Sequence, residues 1–312
     1  MHTLRQPDDR HAYTLSAAHP PIAAVPCGES IGVETVDAFG GALRSEADLF
    51  SERCPGPPRS NPLTGPIYVE GAEPGDTLLV TIERIEPRGD QAVTALIPEF
   101  GALTGSAQTA TLDEPLPERT RVLPIEGGDL VWRDRLRLPL APFLGTIGTA
   151  PDLEAISSLT CGYWGGNLDC AETGPGATVW LPVKNEGALF FCGDAHALQG
   201  DGELTGVAAE MAARVVLRFG LLKAAPIAAP RITTDTHLMA LGCARPLEDA
   251  ARMAARELVR WLADEADLDP LDAYELVGLV GELRVGALVN PNYSVAAKIA
   301  RRWVDQLSPR AG

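Results

Sequence analysis

The sequence has few basic residues for its length and no long apolar run. Its 312 residues include 26 Lys+Arg against 42 Asp+Glu, which gives a formal net charge of -16. An acidic surface repels nucleic-acid phosphates and anionic lipid headgroups, so we expect neither a nucleic-acid nor a membrane partner. Because a membrane-spanning helix needs about 20 apolar residues and a signal peptide needs an apolar core, the absence of both patterns indicates a cytoplasmic protein.

Cysteine is also scarce. The six cysteines form no C-x-x-C pair, which excludes a small disulfide scaffold and makes burial their default role. Apolar residues make up 46% of the chain and charged residues 22%, as is typical of a globular protein with a full core. At about 150 residues per domain, the length predicts roughly two domains.

Short β-type runs separated by turn signals occupy the first two thirds of the chain. The clearest run is TLLVTIERI (Thr77–Ile85), which follows the turn signal Pro74-Gly75-Asp76. Short strands at this spacing predict a β-sandwich or barrel rather than a doubly wound parallel sheet.

After Pro230 the apolar spacing becomes helical. One helix is predicted to follow Pro246, a second to follow the N-cap Asp269, and a third to run from Ser294 to about Leu307. The predicted fold is therefore α+β, with a β-rich sandwich or barrel portion at 1–230 that carries the site. An α-rich C-terminal portion at 231–312 is predicted to pack on it.

Two polar, glycine-rich segments are the candidate sites. The first, CGYWGGNLDC (Cys161–Cys170), places Asn167 and Asp169 after paired glycines. The second, GDAHALQGDGE (Gly193–Glu203), directly follows an apolar strand-like run and is too polar to be expected in a core strand. Polar groups at the end of a buried strand are where scaffolds often hold a site, so we predict that the two segments converge on one cavity.

The second segment combines one histidine with several acids. In an extended chain Asp194 and His196 share one face, as do Asp201 and Glu203. A histidine with two or three carboxylates is typical of a metal site or an acid/base pair. A plain Gly-Asp-Gly turn and a structural histidine are the alternative interpretations, and both stay open at this point.

Several segments resemble the acetamidase/formamidase family, from about His11 to Ala300. They are NPLTGPIYVEGAEPGDTLLVTIERI (Asn61–Ile85), PFLGTIGTAP (Pro142–Pro151), GGNLDC (Gly165–Cys170), GATVWLPV (Gly176–Val183) and GALFFCGDAHALQGDGELTG (Gly187–Gly206). The resemblance implies a cytoplasmic hydrolase that converts short aliphatic amides into a carboxylate and ammonia. It also implies a homodimer or larger homo-oligomer and a divalent metal, with zinc as the expected ion. Several relatives have a histidine just before Gly-Gly-Asn, where this chain has Trp164.

The same resemblance, combined with the chemistry of amide hydrolysis, suggests a role for each candidate residue. We expect Asp169 and His196 to bind the metal, which would activate water and polarise the carbonyl, with Asp194 either as a further ligand or as the residue that orients His196. Glu203 is the expected general base, with Asp201 as its alternate, and Asn167 is suited to donate a hydrogen bond to the developing oxyanion. Trp164 and Gln199 are expected to contact the substrate.

Two alternatives remain open on the sequence. The exchange of histidine for Trp164 would also suit a hydrolase of a small cyclic amide such as a lactam. The same exchange would suit a relative that binds a metal or ligand without catalysis.

Overall fold

The computed structural model describes residues 3–7, 10–54, 56, 59–103 and 116–307. Within these residues the first eleven strands are β1 (Thr3–Leu4), β2 (Thr14–Leu15), β3 (Ala23–Val25), β4 (Ser30–Thr35), β5 (Leu63–Val69), β6 (Thr77–Pro87), β7 (Gln91–Leu96), β8 (Arg119–Glu126), β9 (Asp129–Trp132), β10 (Leu136–Pro139) and β11 (Phe143–Thr149). The next eleven are β12 (Ile156–Ser157), β13 (Cys161–Gly162), β14 (Gly165–Asn167), β15 (Thr178–Pro182), β16 (Phe190–Leu198), β17 (Ala209–Met211), β18 (Ala213–Leu222), β19 (Arg231–Thr233), β20 (His237–Ala244), β21 (Glu282–Ala287) and β22 (Tyr293–Ala300). The helices are α1 (Phe50–Arg53), α2 (Leu247–Ala266), α3 (Pro270–Val280) and α4 (Arg301–Val304).

Most strands belong to two large sheets. In the described part of the chain, a nine-stranded sheet has the order β1-β4-β18-β6-β15-β19-β20-β22-β21. The main path of an 11-stranded sheet is β10-β9-β8-β7-β17-β16-β11-β14-β13, with β5 paired to β16 and β3 paired to β5. The largest apolar core joins Val80 and Leu217 of the first sheet with Ile147 and Phe190 of the second. This two-sheet core with C-terminal helices confirms the predicted α+β class.

The two longer helices begin where the sequence predicts. Helix α2 starts at Leu247, directly after Pro246. Helix α3 starts at Pro270, and its N-cap Asp269 accepts a hydrogen bond from the Leu271 amide at 2.8 Å. No helix in the described ranges combines the length and apolar character that a bilayer crossing requires.

The predicted third helix, Ser294 to Leu307, is wrong over most of its length. Tyr293–Ala300 is strand β22, which pairs with β20 on one side and β21 on the other, and only Arg301–Val304 is helical. Five of its eight residues are buried, four of them consecutive from Ser294 to Ala297, so the strand shows no apolar–polar alternation. Without alternation, a short run such as YSVAAKIA cannot be separated from a buried helix by periodicity.

The C-terminal strands extend the same sheet as the N-terminal ones. Strand β19, which begins at Arg231, pairs with β15, and β20 follows it in the nine-stranded sheet. Hydrogen bonding between strands β15 and β19 therefore continues across residue 230. The division of the chain at that residue stays a prediction.

Helix α2 lies directly on β20. A Cβ atom added to Gly242 of β20 would clash with the Ala250 carbonyl oxygen and lie 2.6 Å from the Ala254 amide nitrogen. Both atoms belong to the helix backbone, which cannot move without shifting the helix. Ala250, Ala254 and Leu258, spaced four residues apart, bury the same face against the sheet.

We expect Gly242→Ala to lower the free energy of unfolding by about 1–3 kcal/mol or more, because the helix must lift off the strand. Urea denaturation followed by circular dichroism would measure the change. Gly278→Ala is the matched control, since that helical glycine has open space around it. We expect the control to raise stability by about 0.5–1 kcal/mol through helix propensity. Equal stability of the Gly242→Ala and wild-type proteins would contradict this account of the helix–sheet contact.

Candidate functional site

The second sheet places the two polar segments on either side of one strand. Thr146 of β11 is paired with Asn167 of β14 on one side and with Gly193 of β16 on the other. Asp169 lies two residues beyond the end of β14, and His196 lies within β16. The predicted convergence of the two segments is therefore found in the structure.

Two glutamates complete a buried group of ionisable side chains. Glu203 lies in the turn after β16, and Glu210 lies in β17, where it is paired with His196 across the ladder. We call the whole group the acid–histidine cluster. Its members are Asp169, Asp194, His196, Glu203 and Glu210, each no more than 6% exposed.

The backbone around the cluster is unusual. A Cβ atom on Gly145 of β11 would lie 2.6 Å from Asp169 Oδ1 and 2.8 Å from Asp194 Oδ2, so only glycine leaves room for both carboxylates. Asp169, Asp194 and Glu203 have left-handed φ angles of 45°, 55° and 50°. Non-glycine residues in this region are strained, and such strain is concentrated at functional sites.

The expectation that the second segment lies outside a core strand was wrong for Gly193–Leu198. Strand β16 continues through these residues, and all but Leu198 are buried. The Nε2 atom of His196 lies 3.3 Å from Asp194 Oδ1 and 3.4 Å from Glu210 Oε2. Polar groups can be buried in this strand because they face one another, and the shared face predicted for Asp194 and His196 is confirmed.

Gln199 fixes the orientation of the histidine. Its Nε2 donates to the backbone carbonyls of Asp169 and Gly286, so its Oε1 must face the Nδ1 of His196, 2.8 Å away. Nδ1 therefore carries a hydrogen, and Nε2 is directed at the carboxylates. Metal-binding histidines are commonly oriented in this way.

Several atoms of the cluster lack a partner. Among the described residues, Asp169 Oδ1, His196 Nε2 and Glu210 Oε2 are buried without a hydrogen bond of acceptable geometry. Ligand atoms of Asp169, His196 and Glu203 lie within 4.8 Å of one another, as do those of Asp194, His196 and Glu210. Carboxylate oxygens and an imidazole nitrogen are ligands that zinc accepts, so the donor set fits a divalent ion.

Burial and mutual repulsion perturb the pKa values of the cluster. Burial, strengthened by the Asp194 charge, raises the pKa of Asp169 to about 6. Burial also raises the pKa values of Glu203 and Glu210 well above their usual range. It disfavours charge on His196, but attraction to Glu210 and Asp194 outweighs it and raises the histidine pKa. Attraction to His196 likewise outweighs burial at Asp194 and lowers its pKa. The cluster thus requires bound protons or a cation to balance its acids.

Three uncharged residues near the cluster were not predicted. Asn61 Nδ2 donates to Asp194 Oδ2 at 3.0 Å and to Asn167 Oδ1 at 3.2 Å, and Thr146 also donates to Asn167 Oδ1. Asn290 donates to Asp169 Oδ2. With its oxygen bound to these donors, the Nδ2 of Asn167 points away from them.

Glu210 was also missed, although the sequence contains a signal for it. It is the only charged residue of VAAEMAA (Val207–Ala213), where an unpaired acid would be costly to bury. Asn61 and Asn290 each precede a proline in a loop, which is too common a pattern to single them out.

A cavity of about 320 Å³ opens onto the cluster. Its polar floor includes Asn167, Asp194, Glu203 and Glu210. Asp201 is not among the described residues that line it. Its carboxylate is exposed and pairs with Arg284 at 2.8 Å.

Trp164 and Gln199 are also not among the described residues lining this cavity. Trp164 packs against Gly162 and joins a separate apolar cluster with Leu15 and Phe191. The substrate contacts expected of Trp164 and Gln199 stay predictions, and the contacts seen for Gln199 are with His196 and the backbone.

The fold and site together define a two-sheet β-protein with a buried carboxylate–histidine centre, of the kind that binds a divalent cation or activates water. The sequence matches the acetamidase/formamidase family over residues 6–161 and 154–295, and the chain belongs to that family.

Solved structures of relatives have the same fold. An acetamidase from Yersinia enterocolitica is 39% identical, with a TM-score of 0.91 over 95% of this chain and 90% of that one. An acetamidase from Bacillus halodurans is 36% identical, with a TM-score of 0.89 over 96% of this chain and 98% of that one.

Curated relatives match by sequence. A formamidase from Methylophilus methylotrophus is 26% identical over 252 residues, which is 65% of this chain. The match spans about three fifths of the length of the curated relatives, 60% and 62%.

We expect His196→Ala to weaken zinc binding by at least about 100-fold, because both groups of candidate ligands include this residue. Equilibrium dialysis followed by elemental analysis would measure the affinity. His237→Ala is the matched control, since His237 lies on β20 and its Nδ1 hydrogen-bonds Thr236 outside the cluster. Unchanged zinc affinity in His196→Ala would contradict a metal site at the cluster.

Proposed function

We propose that this protein is an amidase, which hydrolyses primary carboxamides to a carboxylate and ammonia. The observation that carries the proposal is a buried cluster of one histidine and four carboxylates, of which Asp194, Glu203 and Glu210 line a single cavity. Family membership and relatives named acetamidase and formamidase support the same reaction. Formamide and acetamide are the reference substrates.

His196, Asp169 and Asp194 are the proposed metal ligands, with Glu210 as a further donor. The Asp169 Oδ1, Glu210 Oε2 and His196 Nε2 atoms, which are buried without a hydrogen-bond partner, support this set. A bound divalent ion would supply Lewis acidity and a lowered pKa for water. We favour zinc because His and carboxylate side chains are common zinc ligands.

Glu203 is the proposed general base and proton shuttle. It is buried and lines the cavity, and its raised pKa makes it a better proton acceptor than an ordinary glutamate. It would take a proton from water as the C–O bond forms and deliver it to nitrogen as the C–N bond breaks. Asp201, the alternate, is exposed and paired with Arg284, which makes it the weaker candidate.

Asn167 is proposed to stabilise the oxyanion. It lines the cavity, and its Oδ1 is held by Asn61 and Thr146. These bonds orient the side-chain amide so that the Nδ2 donor is available for the substrate carbonyl oxygen. A donor held in place before reaction stabilises developing charge without reorganisation.

We further propose a cytoplasmic homo-oligomer. The six cysteines are free, which suits a reducing compartment. Leu271, Tyr274, Leu279 and Leu283 on α3 and the edge strand β21 are each more than 60% exposed. An apolar surface of this kind is typical of a subunit interface.

We expect Glu203→Gln to lower kcat for acetamide by about 10²–10⁴-fold, the usual contribution of a general base, with little change in thermal stability. Ammonia release would measure turnover, and a thermal melt would show that the variant folds. Asp201→Asn, measured in parallel, discriminates between the two candidate bases.

Full activity of Glu203→Gln with loss of activity in Asp201→Asn would transfer the role to Asp201. Including a five-membered lactam in the assay tests the cyclic-amide alternative. Zinc binding without hydrolysis of any amide would favour a non-catalytic relative.

A further inference from the structure

The cavity above the acid–histidine cluster is larger than the reference substrates. Its volume is about 320 Å³, whereas acetamide takes the space of only two or three waters at about 30 Å³ each. A cavity of this size is at the lower end of the range, about 300–1,000 Å³, in which proteins bind drug-sized ligands. The site therefore has room for a substrate several times the size of acetamide.

The spare room is bounded by apolar side chains. Six apolar residues contribute to the cavity lining, and we call them the apolar wall: Phe39, Phe50, Ile97, Phe100, Leu159 and Val207. The rings of Phe39 and Phe50 meet edge to face at 6.0 Å between centroids. A short amide would leave these side chains facing water, whereas an apolar substrate group would cover them.

The apolar wall reaches the proposed base. Phe100 packs against Gly206, where an added Cβ atom would lie 2.6 Å from its ring. The Gly206 amide in turn donates to the Glu203 carbonyl at 2.7 Å, which closes the turn that carries the base. An apolar group held against Phe100 therefore lies beside the turn that carries Glu203.

The division of the cavity into floor and wall also orients the substrate. The amide must lie at the polar floor, where Asn167 and Glu203 can reach its oxygen and nitrogen. Since a primary amide carries no substituent on nitrogen, the only part of the substrate that can extend to the apolar wall is the acyl group.

We infer that the preferred substrates are primary amides with a large apolar acyl group, about the size of phenylacetamide, rather than formamide or acetamide. This inference rests on the proposed amidase function. The reaction is unchanged: water adds its oxygen to the acyl carbon, the C–N bond breaks, and the nitrogen leaves as ammonia. The aromatic wall acts only on binding and orientation of the acyl group.

The test compares kcat/KM for phenylacetamide and acetamide in the wild-type protein by ammonia release. We expect at least a tenfold preference for phenylacetamide, since even one methylene in an apolar pocket changes kcat/KM by about 10–200-fold. A preference for acetamide would overturn the inference and leave the proposed function standing. Absence of hydrolysis for every amide would overturn both.

A variant that fills the cavity tests where the acyl group lies. Ala38 lines the cavity, and Ala38→Leu should lower the ratio of phenylacetamide to acetamide kcat/KM at least tenfold by occupying that space. Ala47→Leu is the matched control, because Ala47 is exposed and is not among the described residues lining the cavity. It should leave the ratio unchanged. An unchanged ratio in a folded Ala38→Leu protein would overturn the inference.

Product inhibition tests the same point without a variant. Phenylacetate should compete with acetamide at a concentration at least tenfold lower than acetate does. Equal inhibition by the two carboxylates would show that the apolar wall contributes nothing to binding and would overturn the inference.

Discussion

Four carboxylates and one histidine are buried side by side, and much of the local structure depends on the repulsion between the carboxylates. An isolated carboxylate buried to this degree would bind a proton, because removing its charge from water costs too much free energy. Here the cost is offset in part by His196 and by amide donors such as Asn61 and Asn290. The negative charge that these groups leave unbalanced requires bound protons or a cation. A cluster that binds protons or a cation is suited to acid–base catalysis or to metal binding.

The backbone is shaped to allow this arrangement. Gly145 provides the space in which the carboxylates of Asp169 and Asp194 approach each other, and three cluster residues take left-handed conformations that cost free energy. The rigid pairing of β14, β11 and β16 keeps that strain from relaxing.

Orientation within the cluster comes from residues that carry no charge. Gln199 selects the protonated nitrogen of His196, while Asn61 and Thr146 hold the oxygen of Asn167. The apolar wall, which includes three phenylalanines, lines the same cavity as these polar groups. We propose separate roles for the polar floor and the apolar wall: the first would bind the amide and the second the group attached to it.

Much of this site could be predicted from the sequence, because chain proximity and residue type were sufficient. The alternation of side chains along β16 predicts that Asp194 and His196 share a face, and the glycines before Asn167 indicate a close backbone approach. The helix after Asp269 follows from its N-cap and proline. These signals are local and depend on a few neighbouring residues.

Other features were decided only by the tertiary structure. Strand β22 lies between β20 and β21 and is mostly buried, so its residues show no alternation, and Ser294 to Ala300 was predicted to be helical. Asn61 and Asn290 enter the site from distant loops, where nothing in the neighbouring sequence points to a carboxylate partner. Glu210 has a local signal, but its partners lie on another strand and could not be read from that signal. The sequence by itself determined which ionisable groups were available. Pairing between strands far apart in the chain decided which of them meet, because the register of a sheet is set by the whole core.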